Sequence, residues 1–262
     1  MELNRIIETY LHDQGRLRVW SLIVTVLGDM AAPRKAAMPT ARLGVLLDAM
    51  GVGRPAQKTA LSRLVKDGLA LREKTGRTSA YRFSEATWAE TIKVEPLIYA
   101  DPDTAEPQDW VIAQSDAPRG LRLTGGFGLW LADQAPQDLG FALRGEIITG
   151  NLPPAVIGQD HQTEALALTQ LCHGLEGFEG TSLEHAVARV VLIHRWRRYV
   201  LRFPKVPQIL AEQGFAGTEL PAKVARIYAA LRDGSDMWLG EAGEGYGPMP
   251  PKPATAQTRF GH

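Results

Sequence analysis

The chain has 262 residues, of which 45% are hydrophobic and 22% charged, and its 29 Lys and Arg balance 29 Asp and Glu. This is an ordinary globular composition, with a length typical of about two domains, and overall neutrality argues against a protein that coats nucleic acid indiscriminately. The densest apolar run, Val19 to Leu27, is shorter than the roughly 20 residues that a membrane-spanning helix needs, so we expect no membrane partner.

The only cysteine, Cys172, cannot form an internal disulfide, which fits a reducing compartment. The first residues lack the basic start and apolar stretch of a secretory signal. Together these features predict a cytoplasmic protein.

Helical signals dominate the first part of the chain. Apolar residues at helical spacing predict a first helix between Leu17 and Leu27 and a second within "TARLGVLLDAMG", which ends at Gly51. After a short turn, Pro55 suits the first turn of a third helix, and Gly68 stops it.

The third helix has an apolar side and a polar side. Leu61, Leu64 and Val65 fall within one narrow arc and predict the packed side. The opposite side is polar and basic, with two further polar residues at its flanks: Pro55, Thr59, Ser62, Arg63 and Lys66, with Gln57 and Lys58 flanking.

A β-hairpin is predicted after Gly68. The segments "LALREK" and "AYRF" alternate apolar and polar residues, and "TGRT" between them places a glycine in a tight turn, with Arg77 at the tip. Two helices joined by a short turn and followed by a basic hairpin predict an N-terminal winged helix-turn-helix. We place this domain at residues 1–94, including an N-terminal helix.

Positive charge is concentrated in residues 54–83, which contain eight Lys or Arg and two Asp or Glu, a net charge of eight minus two, or +6, in a neutral chain. The second helix of such a unit enters the major groove of DNA, and cations around it contact phosphates. The alternative is that these cations only solvate a helix and a hairpin. The predicted DNA-contacting residues are Arg54, Gln57, Lys58, Thr59, Ser62, Arg63, Lys66, Lys74, Arg77, Thr78 and Ser79.

The rest of the chain changes character several times. Prolines and acids without an apolar period predict a linker at 95–109, and the runs "WVIA", "LRL", "GLWLA" and "FALRGEI" predict a small α+β middle domain at 110–158. Helical periodicity predicts a C-terminal helical domain at 159–239, in which Thr181 and Glu184 form a capping box before a helix apolar almost all round. The Gly- and Pro-rich residues 240–262 predict a flexible tail.

Candidate catalytic and metal-binding residues do not form a known pattern. Asp116 is a single carboxylate where metal-dependent phosphodiester cleavage needs several, and "LTGGFG" lacks the Lys and Ser or Thr of a phosphate-binding loop. Five residues are of the types that bind zinc, but their spacing matches no zinc motif: His161, Cys172, His173, His185 and His194. We predict no catalytic residue, no metal and no cofactor.

Several strings resemble a known family. "SLIVTVLGD", "TARLGVLLDAMGV", "KTALSRLVKDGLALREKTGRTSAYRFS" and "RWRRYVLRFPKVPQIL" resemble the PaaX family of bacterial repressors of phenylacetate degradation, in three blocks from about Leu17 to Leu231. The resemblance implies a homodimeric repressor that binds double-stranded operator DNA. It also implies release from DNA by an effector, phenylacetyl-CoA or another acyl-CoA.

The chain departs from the family pattern in two places. The family's middle domain resembles the ferredoxin-like fold of a small CRISPR-associated nuclease, but the strand-like runs 110–113 and 129–132 leave little room for the helix after the first strand. We therefore expect an abbreviated ferredoxin-like domain. Phe203 and Lys205 replace an acidic motif near the end of the "WRR" string, which leaves effector specificity open.

A basic and aromatic group in that string is the predicted effector site: Arg195, Trp196, Arg198 and Tyr199. Guanidinium groups match the phosphates of coenzyme A, and the aromatic rings suit stacking on an adenine or aryl ring. The alternative is that these arginines pair with acids at domain or dimer contacts. At the level of the whole chain, the alternative to a repressor is a nucleic-acid-processing enzyme with a nuclease-like middle domain.

Overall fold

A computed structural model of the chain describes residues 2–13, 17–104, 109–117, 120–148, 150, 152, 154–211, 215–253 and 258–261. The architecture is mixed α+β. The α-helices are α1 (Leu3–Ile7), α2 (Val19–Val26), α3 (Thr40–Ala49), α4 (Arg54–Lys66), α5 (Glu85–Ile98), α6 (Pro154–Ile157), α7 (Gln159–Leu175), α8 (Ser182–Arg202) and α9 (Leu220–Gly240). The strands are β1 (Met38–Pro39), β2 (Ala70–Thr75), β3 (Thr78–Phe83), β4 (Trp110–Gln114), β5 (Leu121–Arg122), β6 (Phe127–Leu131) and β7 (Ala142–Gly145).

The helices and hairpin predicted in the N-terminal part are confirmed. Gly51 takes a φ of +74° after α3, a left-handed conformation that glycine tolerates, and the chain then turns into α4. Strands β2 and β3 form an antiparallel hairpin, and the short strand β1 pairs with the outer side of β3 to give the order β1-β3-β2. The prediction that Val65 lies on the packed side of α4 was wrong: Val65 is 39% exposed, whereas Leu61 and Leu64 are buried.

Helix α5 enters the segment that was predicted as a linker. Ser84 caps its first turn, because its Oγ accepts a hydrogen bond from the Thr87 backbone N–H at 3.3 Å. The helix includes Pro96 and ends at Ile98, so residues 95–98 are helical and the predicted linker began too early. Pro96 lies near the end of the helix, where the loss of one backbone N–H does not prevent the last residues from being helical. Residues 105–108 of the predicted linker lie outside the described residues.

The middle part is a four-stranded antiparallel sheet with the order β5-β6-β4-β7. Ile112 at the centre of β4 lies opposite Leu129 on β6 and Leu143 on β7, which fixes the register. Among the described residues between β4 and β5, none is helical. The connection is therefore shorter than a strand-helix-strand unit requires.

Helix α8 lies at the centre of the molecule. It begins with the predicted capping box: Thr181 Oγ1 accepts from the Glu184 N–H at 3.2 Å, and Glu184 Oε2 accepts from the Thr181 N–H at 2.7 Å. Every residue from 186 to 196 is buried. One hydrophobic core joins α8 to residues of both the N-terminal and the C-terminal helices. The limits of the separate domains stay a prediction.

The segment after α9 is packed where the structure describes it. Met249 and Phe260 are 6% and 2% exposed, and the Phe260 N–H donates to the Tyr99 carbonyl at 2.9 Å. The prediction that residues 240–262 form a flexible tail was wrong for these residues, because two isolated apolar side chains find places in the core. Within the described residues, no helix combines the length and the apolarity needed to cross a membrane.

Candidate nucleic-acid interface

Helix α4 presents a polar and basic face to solvent. Lys58, Thr59, Ser62, Arg63 and Lys66 are all exposed. The opposite face is fixed by burial of Ala60, Leu61 and Leu64 in the core. The predicted two-sided helix is thus present, with one side holding position and the other available for contact.

Arg54, at the start of α4, and two residues of this face make weak local contacts. Arg54 pairs with Asp48, Arg63 Nε lies 3.3 Å from Asp67 Oδ2, and Thr59 Oγ1 donates to the Pro55 carbonyl at 2.9 Å. Both ion pairs are exposed, and exposed pairs contribute about 0–1 kcal/mol. A phosphate or a base edge can therefore replace these partners at small cost.

Four other cations of the region have no ion pair in the part of the chain that the structure describes: Lys58, Lys66, Lys74 and Arg77. All four are exposed. Arg77 lies in the turn of the β2–β3 hairpin, next to Gly76, which takes a φ of +60°. These cations are available to neutralise phosphates.

Gln57 is not on the exposed face. It is 5% exposed, and its Nε2 donates to Asp48 Oδ1 at 2.6 Å and to the Val52 carbonyl at 2.7 Å. The prediction placed Gln57 at the flank of the polar side, but it precedes Ala60 and Leu61 by three and four residues and so shares their face. Its amide fixes the turn between α3 and α4 instead of pointing to solvent.

Ser79 is half-buried and ties the hairpin to the start of α3. Thr40 Oγ1 donates to the Ser79 carbonyl at 2.7 Å, and Arg72 Nη2 donates to the Ser79 Oγ at 3.3 Å. Thr78, the neighbouring predicted contact, is exposed. Ser79 thus positions the hairpin, and Thr78 lies on its surface.

The predicted effector residues are not gathered on a surface. Arg195 and Trp196 are each 4% exposed; Arg195 pairs with Glu164, and the Trp196 indole donates to the Ile98 carbonyl at 2.6 Å. Tyr199 is also buried, with its hydroxyl 2.8 Å from Nε2 of His161. This corrects the prediction: consecutive residues of a central helix point in all directions, so three of the four enter the core. Arg198 alone of the four is exposed.

The tempting zinc residues are also dispersed. The described residues contain no group of three or more His, Cys, Asp or Glu that could hold a metal ion. His161 stacks on Phe203 with ring centroids 4.5 Å apart, and burial lowers its pKa to about 4. Burial raises the pKa of the Cys172 thiol to about 12, which keeps it protonated. His173 and His185 are 12 residues apart on different helices, and neither belongs to a metal-sized cluster.

A buried network of charged side chains surrounds Asp29 and was not predicted from the sequence. Its Oδ2 accepts from Arg189 Nε at 2.7 Å, and its Oδ1 accepts from Arg259 Nη1 at 2.8 Å. The hydroxyls of Tyr99 and Tyr228 donate to the same Oδ1 at 2.9 and 3.0 Å. Burial raises the pKa of this carboxyl, but Arg189 and Arg259 outweigh burial and hold the pKa at about 2. A lone aspartate after an apolar run gave no signal of these partners.

A second buried cation links α3 to the end of α9. Arg42 on α3 is fully buried and donates to the carbonyls of Trp238 and Glu241, and also to Gly247 at 3.2 Å. Its guanidinium lies 4.3 Å from the ring centroid of Tyr246. The helix that precedes α4 is therefore fastened to the carboxyl end of α9.

Two family models match the chain. A model described as "PaaX-like protein" matches residues 18–87, and one described as "PaaX-like protein C-terminal domain" matches residues 153–241. The chain belongs to the PaaX-like family of regulators. The exposed face of α4 and the β2–β3 hairpin lie within the first matched range, and helices α7 to α9 lie within the second.

Other comparisons give less. A search of curated proteins found no match. The structure is similar to that of an uncharacterized protein from Mycobacterium tuberculosis, with 17% sequence identity, a TM-score of 0.48, and coverage of 83% of this chain and 97% of that chain.

Proposed function

We propose that this PaaX-like protein is a ligand-responsive transcriptional repressor, in which α3, α4 and the β2–β3 hairpin form a winged helix-turn-helix that binds duplex DNA. The observation that carries the proposal is the exposed polar and basic face of α4 on a helix whose other side is fixed in the core. In a neutral chain, a +6 segment with an exposed helix of this kind suits the major groove.

The exposed residues divide by position. Ser62 and Arg63 lie in the middle of the α4 face, where a recognition helix meets base edges. Lys58 and Lys66 flank them, and Arg77 extends from the hairpin tip, where phosphates are the nearer target. We therefore assign sequence reading to the first pair and sequence-independent affinity to the other three.

Alanine variants test this division. Arg63→Ala and Ser62→Ala are each expected to weaken operator binding by about 1–3 kcal/mol, with little change on random DNA, whereas Arg77→Ala weakens both about equally. Fluorescence anisotropy at several salt concentrations gives the affinities and the salt slope. Lys93→Ala, which removes an exposed cation on α5, is the matched control. Equal operator affinity for wild type and Arg63→Ala would contradict the assignment.

We further propose that the repressor acts as a homodimer on an imperfect inverted repeat. A two-fold dimer places its two recognition helices one helical turn of DNA apart, or a multiple of it. Footprinting combined with sedimentation tests this point. A single asymmetric half-site bound by a monomer would rule it out.

The sheet order β5-β6-β4-β7 supports a ferredoxin-like arrangement in the middle part, because all neighbours are antiparallel and the first and third strands lie at the centre. The short connection after β4 supports the abbreviated form. In the part of the chain that the structure describes, no specific feature favours the alternative of a nuclease-like enzyme. Metal-dependent cleavage of a labelled duplex is the result that would favour it.

We propose an acyl-CoA as the effector that releases the DNA. An effector can shift the equilibrium only by the difference between its affinities for the DNA-free and DNA-bound forms. Thermal-shift screening against acyl-CoA thioesters tests binding, since a ligand at 100 times its dissociation constant stabilises the native state by about 2.7 kcal/mol. Of the four predicted effector residues, Arg198 alone is exposed and can meet a phosphate without a change in the packing of α8. Absence of stabilisation by every thioester would reject the proposal.

A further inference from the structure

The chain reverses after α9 and folds back on the end of that helix. The N–H groups of Gly243 and Tyr246 donate to each other's carbonyl oxygens at 3.0 and 3.2 Å, and the Tyr246 ring covers Gly243 so closely that a Cβ there would overlap it. The Met249 N–H then donates to the Leu239 carbonyl at 2.8 Å, and the Met249 side chain is buried. Residues 241–249, which we call the strap, therefore form a defined turn.

Arg42 of α3 is the side chain that the strap surrounds. Its guanidinium donates to the carbonyls of Trp238, Glu241 and Gly247. The guanidinium carbon lies 4.8 Å from the ring centroid of Trp238 and 4.3 Å from that of Tyr246. The last carbonyls of a helix have no partner within the helix and carry the negative end of its dipole, so a cation is favoured there. One side chain of α3 thus closes the end of α9 and holds both sides of the strap.

Stability alone does not explain the burial of Arg42. The side chain is fully buried and has no ion pair within the described residues. Burial of a charge costs free energy, and apolar side chains of similar volume often replace buried charged groups without loss of stability. The planar guanidinium adds direction, because several carbonyl groups and two rings together fix it in one orientation. The contact is therefore suited to holding α3 at a fixed angle to α9.

The strap lies against α3 and is separated from the hairpin. A Cβ placed on Gly245 would lie 3.5 Å from the Cβ of Ala41, which is an ordinary contact distance. A cavity of about 340 Å³ lies between the strap and the strands β1 and β3, with Pro39 and Ser79 on the strand side. The strap thus supports the helix more closely than the hairpin.

We propose that Arg42 is a positioning residue for DNA binding, which acts through the strap to set the direction of α3 and α4 relative to α8 and α9. Gln57 fixes the turn between α3 and α4, so these two helices move as a unit. In a dimer, the direction of α4 in each protomer decides whether both recognition helices reach their half-sites together. This consequence for DNA rests on the proposed function, whereas the fixed direction of α4 does not.

The fixed direction is tested without DNA by spin labels on α4 and α9. Lys58→Cys and Asp233→Cys place the labels at exposed positions, and the native Cys172 is buried. After dilution with unlabelled protein, double electron–electron resonance should give a narrow distance distribution, which Arg42→Met should broaden. Arg34→Met is the matched control, since it removes another buried guanidinium that lies outside α3 and α4, and it should lower Tm without broadening the distribution. An equally narrow distribution in Arg42→Met would overturn the proposal.

Tyr246→Ala is the second variant, for the case that Arg42→Met does not melt cooperatively. It removes one ring from the Arg42 site, and it does so from a half-buried position on the strap, outside the core. We expect it to broaden the same distance distribution to a smaller extent. A distribution as narrow as that of the wild type would show that the strap does not hold α3.

The consequence for DNA is measured as the ratio of the affinities for an operator with two half-sites and for a single half-site. Arg42→Met should lower the affinity for the paired half-sites at least about tenfold and the affinity for the single half-site less than about twofold. Ala41→Cys combined with Gly245→Cys should form a disulfide, because their Cβ separation of 3.5 Å suits one, and its oxidation should restore the ratio in the Arg42→Met protein. An unaltered ratio in a variant with a broadened distribution would reject the role in DNA binding. A wild-type protein that binds neither DNA contradicts the proposed function, and the spin-label distances then still decide whether Arg42 fixes α4.

Discussion

Replacement of Asp29 by Asn is the sharpest test of what holds the two ends of the chain together. Asp29 is fully buried and accepts hydrogen bonds from Arg189, Arg259, Tyr99 and Tyr228. Asn preserves the shape of the side chain but removes its charge. Two guanidinium groups that are almost wholly buried then lose their central counter-ion.

The magnitude follows from the burial of the partners. Removing one member of a buried ion pair costs about 3–5 kcal/mol, because the remaining charge is left without compensation. Asp236 lies 2.9 Å from Arg189, and Glu95 lies 2.7 Å from Arg259, so both cations keep a second acid. We therefore expect about 3 kcal/mol, which corresponds to a fall of about 6–12 °C in Tm for a chain of this size.

Urea unfolding followed by circular dichroism measures this loss. Glu90→Gln is the matched control, since it makes the same chemical change in an exposed pair with Lys93, and should cost less than about 1 kcal/mol. If Asp29→Asn and Glu90→Gln unfold at the same urea concentration, the network is not a source of stability and the reasoning fails.

The acid dependence of stability gives a second readout of the same variant. The pKa of Asp29 falls from 3.8 in its ordinary state to about 2 in the folded protein. A depressed pKa contributes stability that is present above pH 3.8 and is lost as the pH falls towards 2. At about 1.36 kcal/mol per pH unit, the difference between 3.8 and 2 contributes about 2.4 kcal/mol, and Asp29→Asn should lack this part of the acid transition.

Three further variants have expected outcomes. Burial lowers the pKa of His194 from 6.5 to about 3, so the unfolded chain takes up a proton first and the free energy of unfolding falls below pH 6.5, by about 2 kcal/mol at pH 5. His194→Gln should flatten this pH dependence in urea titrations, and an unchanged slope would contradict the reasoning. Phe260→Ala should cost about 3–5 kcal/mol by the same assay, whereas a loss under 1 kcal/mol would mean that the C-terminal segment does not pack in solution. Gln57→Ala should lower both Tm and operator affinity, because it leaves Asp48 without its amide donor, whereas Lys58→Ala should lower operator affinity alone. A Gln57→Ala protein with unaltered Tm would count against a buried structural role for Gln57.

The sequence predicted what local signals determine. The α4 face and the hairpin follow from short-range periodicity and from glycines, so Ser62, Arg63 and Arg77 lie at the surface as expected. Gln57 was misplaced because a residue at the flank of a helical wheel can enter the core when a nearby turn needs its amide. A helical wheel gives the angular position of a side chain but does not show whether another segment of the chain covers that side chain.

The remaining errors have a long-range cause. Trp196 was predicted to meet a ligand, but α8 is surrounded by other helices, and no local pattern reveals that. Arg259 reaches Asp29 across 230 positions, from a segment whose composition resembles a flexible tail. One arginine and one phenylalanine in a Gly- and Pro-rich segment carry too little periodicity to predict a packed end.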